Sequence, residues 1–140
     1  MMFALLWACQ TVAVVEAGDA PVPAVVKAVD RPVHVAPPGT ASARPLVAGR
    51  NAFVGELWLE PGASVPVHRD ATEEYLVVLE GAGTLTIDGT EHQLSAGMSV
   101  YMPANAEVSF VNGPERLHAI QVFAGRGPEA KYDAWPVRED

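Results

Sequence analysis

The sequence predicts an all-β chain, an antiparallel double-sheet jelly-roll barrel in a single domain, and three observations carry that expectation. From Asn51 onward, short runs rich in β-branched and aromatic residues recur at intervals of about 8–12 residues, the spacing of strands in a sandwich or barrel. Gly, Pro and Asp-Gly pairs separate the runs. No stretch repeats its apolar residues with the helical period over any length that would compete. At 140 residues the chain suits one domain that buries a core without disulfide staples.

The expected layout has four parts: a signal-like segment (1–20), a Pro-rich lead-in with edge strands (21–50), the barrel core (51–124) and a polar tail (125–140). In the first, Met1-Met2-Phe3-Ala4-Leu5-Leu6-Trp7-Ala8-Cys9 is apolar, and Leu6-Trp7-Ala8-Cys9 resembles a bacterial lipobox. In such signals the cysteine is lipidated and becomes the mature N-terminus. Trp7 is bulky where these signals carry small residues, and no Lys or Arg precedes the apolar stretch. The expectation is therefore an extracytoplasmic protein, either anchored by lipid at Cys9 or cleaved near Ala17. The alternative is a cytoplasmic protein with a first strand around Thr11–Val15. Gln10 and Thr11 interrupt the stretch, which is too short for a membrane span. Cys9 is the only cysteine, so neither an intrachain disulfide nor a Cys-based zinc site is available.

The lead-in carries Pro21, Pro23, Pro32, Pro37, Pro38 and Pro45. Proline fixes φ and removes a donor, so this stretch suits a linker with edge strands, here expected at Val25–Val29 and Pro32–Val35. In the core the strand runs are Ala52–Glu60, Val65–His68, Glu74–Leu79, Gly83–Ile87, Glu91–Leu94, Ser99–Met102, Glu107–Val111 and Leu117–Phe123. Asp88-Gly89 between two such runs predicts a type I′ hairpin, which needs positive φ at both central residues. Asn112-Gly113 marks a second, longer turn. Antiparallel runs of this number are best closed on themselves, which leaves few free edges. The tail holds Tyr132 and Trp135 and is expected to lie across the barrel surface.

The formal charge is −8, and 49% of residues are hydrophobic. A nucleic-acid binder is excluded, because phosphate contacts need clustered Lys and Arg. No run of like charges suggests a polyelectrolyte tail. No P-loop, Ser-His-Asp or dinucleotide fingerprint is present either.

Two segments carry chemistry. The first, Gly62-Ala63-Ser64-Val65-Pro66-Val67-His68-Arg69-Asp70-Ala71-Thr72-Glu73-Glu74-Tyr75-Leu76-Val77-Val78-Leu79-Glu80-Gly81, resembles the first cupin motif, G-x5-H-x-H-x3–4-E-x6-G. The second, Gly97-Met98-Ser99-Val100-Tyr101-Met102-Pro103-Ala104-Asn105-Ala106-Glu107-Val108-Ser109-Phe110-Val111-Asn112, resembles the second motif, G-x5-P-x-G-x2-H-x3-N. The resemblance covers about half of the chain directly, and the flanking strand pattern agrees with it. It implies the small single-domain type of cupin. In metal-binding cupins the implied ligands are two His and one Glu from the first motif and one His from the second. Such a set suits Fe, Mn, Ni, Cu or Zn.

This chain departs from that set twice: Asp70 stands at the second His position, and Val108 at the His position of the second motif. Asn105 replaces the second-motif Gly, which Asn tolerates because it visits left-handed φ. The metal site is thus expected to be degenerate, with His68, Asp70 and Glu74 remaining as ligands. His118 joins them if His118, Ile120 and Val122 face the interior, but Leu117, Ala119 and Phe123 are apolar as well, so the parity stays open. A His in an apolar strand is more often a hydrogen-bonded structural residue. Equally, His68 and Glu74 read as a satisfied buried pair in a barrel without metal.

Three functions follow. The first is a small-molecule-binding cupin, with Tyr101, Met102, Val108, Phe110 and Ile120 lining the pocket and His68 and Glu74 orienting the ligand. The second is a metal-dependent enzyme, a dioxygenase, isomerase or lyase acting on a small oxygenated substrate. The third is a non-catalytic scaffold or assembly domain. A homodimer is expected from the resemblance, with Ala52–Glu60 and Trp58 as the pairing edge. Fold alone does not choose among these.

Overall fold

Strands make up most of the computed structural model, which describes residues 22–139. The lipobox-like segment with Cys9, and the strand expected around Thr11–Val15, lie outside the described residues. The strands are β1 (His34–Val35), β2 (Ala41–Ala48), β3 (Phe53–Leu59), β4 (Ser64–His68), β5 (Glu73–Glu80), β6 (Ala82–Ile87), β7 (Thr90–Ser95), β8 (Ser99–Met102), β9 (Val108–Asn112) and β10 (Leu117–Ala124). Short 3₁₀ helices occupy Ala28–Asp30 and Pro128–Ala134. Two antiparallel sheets result, one in the order β1-β2-β3-β10-β5-β8 and the other in the order β4-β9-β6-β7.

Each run expected in the core forms a strand at or within a residue or two of its expected bounds, because alternation and turn chemistry agree there. The β6–β7 hairpin turns at Asp88 (φ 47°) and Gly89 (φ 81°), the paired positive angles a type I′ turn requires. Asn105 also adopts a positive φ, 62°.

The lead-in differs from expectation. Val25 is fully exposed and no strand spans Val25–Val29, where a 3₁₀ turn follows instead. The long strand of this region is β2, which a Pro in its midst argued against. Pro45 is accommodated because the β2–β3 register shifts between Pro45 and Val47, so the missing donor falls at a bulge. β3, expected to offer an edge, is instead hydrogen-bonded on both sides, to β2 and to β10.

The main core lines the space between the sheets, with Leu59, Val78, Leu85, Met102, Phe110, Leu117 and Ala119 among its buried members. A second cluster joins Ala43, Phe53, Phe123 and Tyr132, with Trp135 packed against it. The tail is therefore not simply draped over the surface. Its 3₁₀ helix inserts Tyr132, 2% exposed, as a structural plug.

Asn112, the last residue of the second motif, ties the end of β9 to two other segments. Its Nδ2 donates to the carbonyls of Leu59 (3.1 Å), Glu60 (2.9 Å) and Glu115 (2.9 Å), and its backbone N–H donates to Ala63 O (2.8 Å). Truncation strands these carbonyls where water cannot fully replace the donor. Asn112→Ala is expected to lower unfolding stability by about 2–3 kcal/mol in urea titrations. An unchanged midpoint would contradict this anchoring role.

Candidate functional site

β10 runs between β3 and β5, and its residues alternate strictly. Leu117, Ala119, Gln121 and Phe123 are buried, whereas His118, Ile120 and Val122 are only half-buried on the opposite face. Leu117, Ala119 and Gln121 face a cavity of about 480 Å³ between the sheets. Its walls are mostly apolar, with Leu57, Leu85, Met102, Val108 and Phe110 among them. Polar side chains join at one cluster, formed by His68, Asp70, Glu74, Gln121, Lys131 and Tyr132.

β4 ends at His68, and the following loop is fixed across the barrel rim. Arg69 donates to Asn105 O (2.7 Å) and to Glu107 Oε2 (2.9 Å), while Asn105 N donates to Asp70 O (2.7 Å). These bonds place Asp70 beside His68, with Asp70 Oδ2 3.7 Å from His68 Nε2. His68 Nδ1 lies 2.8 Å from Pro66 O. A carbonyl only accepts, so Nδ1 carries the proton and Nε2 of the neutral ring keeps its lone pair. Asp70 Oδ2 is buried and has no hydrogen-bond partner.

Glu74, 7% exposed, is the second residue of β5. Gln121 Nε2 donates to Glu74 Oε1 at 2.6 Å, and the Tyr132 hydroxyl donates to Gln121 Oε1. The amide thus links two buried groups that would otherwise lack partners. Burial pushes the Glu74 carboxyl above the ordinary 4.5, against the pull of the Gln121 hydrogen bond and the Lys131 charge. Burial likewise pushes the Tyr132 hydroxyl strongly upward, so it stays protonated and serves as a donor.

The structure brings together His68, Asp70, Glu74, Met102, Val108 and Phe110 around this cavity. It does not bring His118, Ile120 or Tyr101 there, because each lies on the outer face of its strand. His118 Nε2 is 3.0 Å from Glu56 Oε1, and its ring stacks on Trp58 at 4.8 Å. Tyr101 is half-exposed and donates to Glu73 Oε1 at 3.0 Å. Ile120 pairs across to Glu56 and Val77. Four site residues escaped sequence reasoning: Gln121, Lys131, Tyr132 and Trp135. For Gln121 a signal existed, since it is the lone polar residue in the apolar series 117, 119, 121, 123. The others come from the tail, where no motif marks them.

The chain belongs to the cupin superfamily. The family profile described as Cupin domain matches residues 56–123. Dimethylsulfoniopropionate lyase DddW of Ruegeria pomeroyi is 39% identical over 83 residues, covering 59% of this chain and 55% of that protein. Auxin-binding protein 1 of Arabidopsis thaliana is 36% identical over 82 residues, covering 49% of this chain and 41% of that protein. The chain therefore spans about half the length of the curated relatives it matches. Among solved structures, an RmlC-like cupin from Shewanella frigidimarina superposes with a TM-score of 0.70 at 19% identity, covering 79% of this chain and 97% of the other. That likeness shows the fold.

Cupins commonly bind transition metals, but the donors present here do not fit such a site. Val108, at the position of the second-motif His, is buried and pairs in register with His68 across β4 and β9. It presents a methyl group where a ligand would stand. Glu74 is engaged by Gln121, and among the described residues no group of three His, Cys, Asp or Glu side chains is placed to hold a metal ion.

The raised Glu74 pKa has a signed consequence. The folded chain holds this proton more tightly than the unfolded chain, so ionisation costs the native state nothing below about pH 4.5, where both are protonated. The cost grows as pH rises through the folded pKa and is complete above it. Glu74→Gln keeps an acceptor for Gln121 and removes the cost. At pH 7 it is expected to equal or exceed the wild type in stability to urea, a gap that closes toward pH 4. A variant much less stable at pH 7 than at pH 4, relative to wild type, would contradict the assignment.

Proposed function

We propose that this chain binds a small organic molecule in the barrel cavity, without calling on a transition metal. The observation that carries this reading is the cavity itself. Its wall is mostly apolar, and a buried carboxylate oxygen there, Asp70 Oδ2, lacks a hydrogen-bond partner. A pocket with an apolar body and a few convergent polar groups is the usual form of a small-ligand site. The ligand's body lies against Leu85, Val108 and Phe110, and a donor on its polar end meets Asp70. Two relatives' names support the reading, since dimethylsulfoniopropionate and auxin are both small organic molecules.

A second reading, a cupin enzyme of the lyase kind, is favoured by the 39% identity with DddW. The chain's own groups for moving a proton would be His68 Nε2 and the buried Glu74 carboxyl. The donor set weighs against the metal-dependent form of that enzyme. Self-association finds support in the outer face rather than at a strand edge. There Val47, Val54, Val122, Tyr75 and Tyr101 form one apolar row across adjacent strands.

Thermal shift with dimethylsulfoniopropionate, an auxin and a panel of small organic acids and alcohols, with and without EDTA, tests the binding reading. Stabilisation by at least one compound is expected to survive EDTA and to disappear in Val108→Phe, whose ring occupies the cavity. Stabilisation abolished by EDTA, or turnover of dimethylsulfoniopropionate that requires added Fe, Mn, Ni, Cu or Zn, would replace it with the enzyme reading.

A further inference from the structure

Asp70 and Glu74 place two carboxyls at one end of an apolar cavity, and carboxylates withdrawn from water need a cation or hydrogen bonds. Glu74 has Gln121. Asp70 Oδ2 has no hydrogen bond, but Lys131 Nζ lies 3.9 Å from it, the only ammonium among the described residues lining this cavity. Lys131 belongs to the 3₁₀ helix Pro128–Ala134, beyond the segment that matches the family profile. That helix is pinned by Tyr132, so Lys131 is carried to the cavity by a buried anchor next to it in sequence. Its ammonium also stands 5.1 Å from the Phe123 ring centroid and 5.5 Å from that of Tyr132, an arrangement that favours a cation over the ring faces.

The geometry points to Lys131 as the resident cation of this barrel. At Asp70 and Glu74 its ammonium supplies the positive charge that a divalent ion would otherwise bring, and so keeps such an ion out. The inference rests on the metal-independent reading of the cavity given above. Its physical basis is repulsion. A divalent ion at His68, Asp70 and Glu74 would sit within a few ångströms of the ammonium that already faces Asp70, and like charges at that range repel. The same charge acts on Glu74, where it opposes the effect of burial after the Gln121 hydrogen bond. Val108 thus stands where the second motif would place a His, and the tail brings Lys131 to the same cavity. An ion pair over aromatic rings occupies that end of the cavity.

The test is metal uptake by the full chain, measured by calorimetric titration with zinc and manganese chlorides and by metal content after gel filtration. Lys131→Met is expected to bind zinc at least tenfold more tightly than wild type, and His68→Ala in that background should abolish the gain. Lys131→Arg, which keeps the charge, should behave as wild type. Lys131→Gln provides a second neutral variant should methionine disturb the 3₁₀ helix, with circular dichroism and Tm confirming the fold. Equal metal affinity in wild type and both neutral variants would overturn the inference. The two readings fail separately. Metal gained on neutralising Lys131 supports the resident cation even if no organic ligand is found. Ligand stabilisation that survives EDTA, with metal affinity indifferent to Lys131, sinks the resident cation alone.

Discussion

The placement of Gln121, and through it of Tyr132 and Lys131, depends on the parity of β10. This strand is hydrogen-bonded along its length to β3 on one side and β5 on the other. A slip of one residue would turn Leu117, Ala119 and Phe123 out of the core and bring His118, Ile120 and Val122 into it. Full burial of the first set holds the register, and Gln121 is carried inward with them. Once inside, the amide needs partners on both of its ends. Glu74 on the neighbouring strand and Tyr132 on the tail supply them. The position of the tail, and with it that of Lys131, therefore follows from which face of one central strand looks inward.

The outer face of the same sheet shows the complementary solution. His118 there joins Glu56 and Trp58, with Arg44 and Arg116 standing 5.2 and 5.5 Å from the Trp58 ring centroid. Arg44 also pairs with Glu56 at 2.9 Å. Charges on this half-exposed face are answered by one another and by an aromatic surface. Inside the barrel they are answered by an amide, a phenol and a lysine. The same sequence alternation generates both arrangements.

Most of the fold was legible in the sequence because local signals agreed with one another. Asp88-Gly89 demanded a tight hairpin, and alternating runs between Gly and Pro punctuation could form little but strands. β2 was not legible, since Pro45 counts against a strand unless the bulge that absorbs it is known. At the site, the motif spacing located His68, Asp70 and Glu74, because ligand convergence is encoded in local alternation. His118 was ambiguous for a physical reason: both faces of β10 are largely apolar, so hydropathy alone does not fix its parity. The polar interruption at Gln121 would have resolved it, as an inward amide has to be matched by inward partners. Lys131 and Tyr132 lay beyond reach, since their contacts depend on where a tail with no periodic pattern comes back to the barrel.

The central position of β10 also bears on how the chain reaches its native state. Its pairing with β3 joins Leu117 to Leu59 and Phe123 to Phe53, residues 58 and 70 positions apart. The β6–β7 hairpin closes locally, but the larger sheet gains its middle strand only after most of the chain has been drawn into a loop, an entropic cost met before the contacts repay it. Topologies dominated by such distant pairings fold over milliseconds to seconds rather than microseconds. Until β10 arrives, β3 and β5 each present an unpaired edge flanked by apolar side chains, so the interval before closure is when this barrel is most prone to aggregate.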